Sequence, residues 1–140
     1  MKRFITRAAV LILILTGIYS YGQSGNREVL PGEDSPVVTV YYFHFTRRCA
    51  TCLAVEENAR KALGALFPDE VKTGEYTFTS LNLDEAGTKE IADKLKVGGQ
   101  TLLVVCGDKK ADITGQAWMS AHDPEKMKKE VKSGIDKVLF

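Results

Sequence analysis

Apolar positions along the chain fall into blocks of two different periods. Val37 to Phe45 (VVTVYYFHF) is apolar at nearly every position and rich in Val, Thr, Tyr and Phe, which predicts a strand buried on both faces, central in its sheet. From Cys52 the period changes. Val55, Ala59, Ala62, Leu63 and Leu66 recur at helical spacing, with Glu56, Glu57, Arg60 and Lys61 on the opposite side, and Pro68-Asp69 marks the helix end. Tyr76 to Leu83 predicts a second strand. Gly87-Thr88 opens a short helix with Ile91 and Leu95 as its inward stripe, broken at Gly98-Gly99. Thr101 to Cys106 (TLLVVC) predicts a third strand. Gly107 to Lys110 reads as a turn, and Ala111 to Thr114 as a returning arm. Asp123-Pro124 is a helix start, with Met127, Val131, Ile135 and Val138 inward and Lys126, Lys128, Lys129 and Lys132 outward. The order is β-α-β-α-β-β-α, an α/β pattern.

The N-terminal quarter differs in kind. Lys2, Arg3 and Arg7 precede a compact apolar run, Ala8 to Tyr19, and small residues at Ser20 and Gly22 suit a cut before Gln23. Residues 1–22 are therefore expected to be a secretory signal peptide. The run is short of the ~20 residues a spanning helix needs, although an uncleaved membrane anchor is the alternative. Residues 23–36, with Gly, Ser and Pro and no periodicity, are expected to be a linker, and 37–140 the folded domain. Such a protein would work in a periplasm or be secreted, where disulfides persist, with no stable membrane insertion after cleavage.

Composition narrows the function classes. Removing Lys2, Arg3 and Arg7 from the 19 basic residues leaves 16 against 18 acidic ones, a balance that gives no reason to expect nucleic acid as a partner. Three cysteines do not make a disulfide framework. Two of them, Cys49 and Cys52, form a C-x-x-C where the first strand meets the first helix, the placement that thiol–disulfide exchange requires. Position 49 is expected exposed and position 52 one turn inward. The helix N-terminus and Arg47 and Arg48 predict a stabilised Cys49 thiolate. A structural zinc site needs two further ligands, and Cys106, His44 and His122 offer no second close pair. No G-x-G-x-x-G run is present, and no cofactor is expected.

The strand order, with CATC at the first β–α junction, LNLDE at Leu81 to Glu85 and GGQTLLVV at Gly98 to Val105, resembles the thioredoxin fold over residues 37–140. The resemblance implies a central four-stranded mixed sheet flanked by helices. YYFHFTRRCATC, then AVE and GQTLLVV, is similar to a group of secreted thioredoxin-like proteins labelled as a nitrophenyl-compound nitroreductase subunit and associated with arsenic-resistance clusters. The resemblance implies Cys49 as the attacking and Cys52 as the resolving cysteine, with a protein redox partner met through a transient mixed disulfide. It also shows departures. Arg48 replaces the family's Trp before the first cysteine, Phe43 its buried Asp, Ser80 the accompanying Lys and Gln100 its cis-proline. The usual proton relay is thus absent, and the bond before Gln100 is expected trans, because a cis non-proline bond costs ~2.5–4 kcal/mol. Gln100, His44 and Thr51 are expected to line the site. Two functions remain open at this point: a thiol–disulfide oxidoreductase, and a module binding a soft ion such as As(III) or Cu(I) through Cys49, Cys52 and Cys106.

Overall fold

The computed structural model describes residues 37–140, so the expected signal and linker lie outside the described residues. β1 (Val38–His44) leads through a five-residue connection into α1 (Ala50–Leu66), then α2 (Pro68–Thr73), β2 (Tyr76–Asn82), α3 (Ala86–Leu95), β3 (Thr101–Cys106), β4 (Lys109–Asp112), α4 (Thr114–Met119) and α5 (Pro124–Leu139). The sheet runs β2-β1-β3-β4. β1 pairs parallel with β2 and antiparallel with β3, and β3 pairs antiparallel with β4. This is the expected α/β fold, an open four-stranded mixed sheet of thioredoxin-like type with β1 inside it.

Residue parity divides the sheet into unequal faces. Val38, Val40 and Tyr42 of β1 and Leu102 and Val104 of β3 are fully buried. They form one core with Val55, Ala59, Ala62 and Leu63 of α1 and Met127, Val131, Ile135 and Val138 of α5. Each Val, Leu, Ile or Met among them contributes about 1.5–3 kcal/mol when taken fully out of water. Gly134 lets α5 lie close, since a Cβ there would meet the Ile113 and Val104 methyls at 3.0 Å. On the other face Phe43 and Leu103 are buried, but Thr39, Tyr41, Thr77 and Thr79 are only half-buried. β1 is therefore central in the sheet yet sealed on one face only. Its unbroken apolar run hides this, because Thr and Tyr tolerate a partly wet surface as readily as a core.

Several elements differ from the sequence expectation. α1 ends at Leu66, just before Pro68 as expected, but Pro68 also starts an unexpected short helix, α2, as its first residue. A proline there donates no N–H to a continuing α1, and it pushes Phe67 to φ −135°, ψ 58°. α4 was invisible to periodicity, since a six-residue helix presents one buried side chain, Ala117. The hairpin is tighter than the residue types suggest: Gly107-Asp108 alone is the loop, with Gly107 at φ 56°, and the arm begins at Lys109. In α3 the inward residues are Thr88 and Ala92, whereas Ile91 is exposed and Leu95 half-buried. No helix among the described residues is long and apolar enough to cross a membrane.

Candidate functional site

The site is the junction of β1 and α1. Cys49 caps α1 with extended backbone (φ −85°, ψ 165°), and its Sγ accepts the Cys52 backbone N–H at 3.1 Å. The two residues form a disulfide with Cα atoms 5.1 Å apart. Cys49 is exposed, whereas Cys52 is 5% exposed. One sulfur therefore faces solvent at the positive end of a 17-residue helix, and the other faces the core. A sulfur that gains negative charge at position 49 meets a backbone donor and the helix N-terminus, both of which favour the anion.

The connection before Cys49 is tied to β2. The His44 carbonyl accepts the Leu83 N–H at 2.7 Å, Thr46 N–H donates to Asp84 Oδ2 at 2.7 Å, and Asn82 Nδ2 donates to Thr46 Oγ1 at 2.9 Å. The LNLDE segment thus holds the loop that presents the cysteines. The Thr46 amide, and next its side chain, hold the Asp84 carboxyl below its ordinary value. A depressed carboxylate contributes its anchoring above the unfolded value near 3.8 and loses it as pH falls through the lowered folded value. The Thr46 amide resonance is expected to stay fixed from neutral pH down to about pH 4 and to move below it. An Asp84→Asn variant should abolish that movement; an amide that titrates identically in the variant would sink the assignment.

The two arginines play unequal parts. Arg47 is exposed and makes no ion pair among the described residues. Arg48 turns inward, its guanidinium 5.6 Å from the Tyr42 ring centre and paired with Glu56, whose other oxygen takes Arg60 at 2.9 Å. The Arg48 Nε is buried without a hydrogen-bond partner. Arg48 is thus not an open charge beside Cys49; its field is shared with a carboxylate one turn beyond Cys52. Glu56→Gln is expected to release that field and make the disulfide more oxidising by roughly 10–20 mV, the equivalent of ~0.5–1 kcal/mol for two electrons. Equilibration with glutathione measures this. A potential that moves in the reducing direction would show that Arg48 does not act on the sulfurs.

The remaining expected residues are distributed unevenly. Gln100 is half-buried immediately before β3, with Oε1 3.8 Å from Cys52 Sγ. The described residues contain no cis peptide bond, so the Gly99–Gln100 bond is trans as expected. Thr51 is half-buried between the cysteines. His44 ends β1. Its ring stacks 5.8 Å from that of Tyr42, and its Nδ1 pairs with the Phe45 carbonyl at 2.9 Å, not with a sulfur. Cys106 is paired across from Val38, at the other end of β1 from the C-x-x-C. Seven strand residues at ~3.3 Å each put about 20 Å between them, so the structure brings together two cysteines and not three. Among the described residues no group of three or more His, Cys, Asp or Glu side chains is placed to hold a metal ion.

Comparison with family models, with curated proteins and with solved structures gave no match.

Sequence reasoning missed Tyr42 and Glu56 as parts of the site. The Tyr42 hydroxyl donates to the Cys52 carbonyl at 2.9 Å, inside the protein. Burial pushes the phenol up, and Arg48 offsets part of that rise. Strand parity with Val38 and Val40 was the available signal for Tyr42, and the four-residue spacing Cys52–Glu56–Arg60 the one for Glu56.

Proposed function

We propose that the protein is a thiol–disulfide exchange protein that works outside the cytosol, cycling between a Cys49–Cys52 disulfide and a dithiol. The observation that carries this reading is the asymmetry of the pair. Cys49 is exposed at a helix N-terminus with a backbone N–H on its sulfur, and Cys52 is buried within bonding distance of it. The Cys49 thiolate attacks a disulfide of a partner protein, forms a mixed disulfide and releases one partner thiolate. Cys52 then gives up its proton and attacks Cys49 Sγ, so that the Cys49–Cys52 bond forms and the second partner thiolate leaves. The partner gains two electrons and the pair loses two, which a separate dithiol donor restores. The connectivity lacks the large helical insertion of periplasmic oxidases, which favours a reductase or carrier of reducing equivalents. The extracytosolic location rests on the signal-like pattern of residues 1–22 and on the resemblance to the secreted thioredoxin-like group.

Cys52→Ser in the native host tests the reading. It should leave a partner covalently held on Cys49, released by dithiothreitol. If no such adduct forms while the wild type binds As(III) or Cu(I) tightly, the pair is a soft-ion site instead.

A further inference from the structure

We infer that Gln100 is a positioning residue that keeps Cys52 as a thiol and so prolongs the mixed disulfide on Cys49. This rests on the exchange function proposed above and adds a kinetic property to it.

The two sulfurs meet opposite polarities. Cys49 Sγ faces a donor, the Cys52 N–H at 3.1 Å. Cys52 Sγ faces an acceptor, the Gln100 amide oxygen at 3.8 Å. The start of β3 fixes where Gln100 sits. Leu102 lies on the face that carries α1, opposite Tyr42, and Gln100, in the bend just before β3, reaches the first turn of α1 at Cys52. Its backbone is held on both sides. Thr101 Oγ1 donates to the Gly99 carbonyl at 3.0 Å, and the Leu102 N–H donates to Thr114 Oγ1 at 3.0 Å.

A thiol next to an amide oxygen donates its S–H to it; a thiolate there meets only lone pairs. Burial adds to the preference, because Cys52 at 5% exposure has little water to solvate an anion. The charged and titratable groups around it do not reverse this. Tyr42 of β1 donates to the Cys52 carbonyl and not to the sulfur. His44 of β1 bonds its own neighbour. Arg48 of the connecting loop and Glu56 of α1 neutralise each other. From the β3 side the facing group is Gln100 itself, which is neutral. Gln100 cannot accept a proton, so Cys52 loses its proton at the moment of attack, to the departing partner thiolate or to water. Resolution is then slow relative to capture, and the protein remains joined to its partner longer than one with a poised second thiolate.

Gln100→Leu separates this from a space-filling role, because it keeps the volume and excludes water but removes the acceptor. In the full chain carrying Cys49→Ser and Cys106→Ser, so that Cys52 is the one thiol left, the pH midpoint of its thiolate absorbance is expected to fall in Gln100→Leu and to rise in Gln100→Glu, where a carboxylate faces the sulfur. In the reduced chain with both cysteines, attack on 5,5′-dithiobis(2-nitrobenzoate) forms the mixed disulfide on Cys49 and releases one thionitrobenzoate. The mixed disulfide should resolve several-fold faster in Gln100→Leu. A midpoint that rises in Gln100→Leu means that the amide N–H₂ faces the sulfur, and an unmoved midpoint means that Gln100 only lines the site; either result overturns the inference. The midpoint does not depend on exchange, so a wild type that never attacks the reagent would sink the proposed function and leave this measurement decisive by itself.

Discussion

Replacing Cys49 by serine is expected to abolish exchange, lowering the rate of attack on a disulfide by at least about three orders of magnitude. A serine hydroxyl at the same cap can still accept the Cys52 N–H, so the fold and α1 should survive the change. What is lost is the nucleophile. Cys52 cannot substitute for it, because that sulfur is buried behind the first turn of α1 and against Gln100. Cys106→Ser should leave the rate unchanged to within about twofold, since it lies at the opposite end of the sheet and shares no partner with the pair. Stopped-flow reaction with a chromogenic disulfide measures all three proteins. Substantial activity in Cys49→Ser that persists when Cys106→Ser is added would assign attack to Cys52 and reverse the roles proposed for the pair.

Tyr42→Ala carries the largest expected effect on stability, a loss of about 3–5 kcal/mol. Tyr42 is fully buried and central. Its ring lies under Arg48, beside His44 and 6.1 Å from the ring of Trp118, and its hydroxyl reaches the first turn of α1. Truncation opens a cavity and orphans Arg48 on one side. Domains of this size are stable by ~5–15 kcal/mol, so the variant is expected to lose a large share of its folding free energy. Tyr42→Phe keeps the packing and removes the hydroxyl alone, at a cost of about 0.5–1.5 kcal/mol. Urea unfolding of the pair of variants separates packing from the hydrogen bond. Equal losses in both would mean that the hydroxyl, not the ring, is what α1 depends on.

The parts of the fold legible in the sequence are those with long, single-valued patterns. The stripes of α1 and α5 each present a face that decides the packing, and the runs of β1 and β3 mark the strands, although the run of β1 does not tell its sealed face from its wetter one. Asp123-Pro124 starts α5 as expected because a cap and a first-turn proline act locally: the Asp123 side chain accepts the Lys126 N–H. What escaped was short or long-range. α4 has too few residues to show a period. Thr88 and Ala92 are small enough to be buried in place of Ile91, an outcome set by how close α3 approaches, which no local pattern encodes. At the site, the cysteines and their order of exposure were readable from the strand-to-helix junction. The inward turn of Arg48 was not, because its partners are a ring two strand positions from the end of β1 and a carboxylate on the next helical turn. A run of two arginines looks like one patch of charge, yet burial separates them into an open cation and a neutralised one.

The smallness of the ring closed by Cys49 and Cys52 has a consequence for the rest of the molecule. Only four residues, both cysteines included, lie within it. In the chain-entropy picture, a cross-link restricts the unfolded chain according to the length of the loop it closes, and for so short a loop that amounts to about 2 kcal/mol. Making or breaking the bond therefore alters the conformational freedom of the denatured chain only slightly, and the core that joins β1, β3, α1 and α5 contains neither sulfur. Under the proposed exchange function, the scaffold can remain folded through each cycle, with oxidation and reduction confined to one turn of one helix.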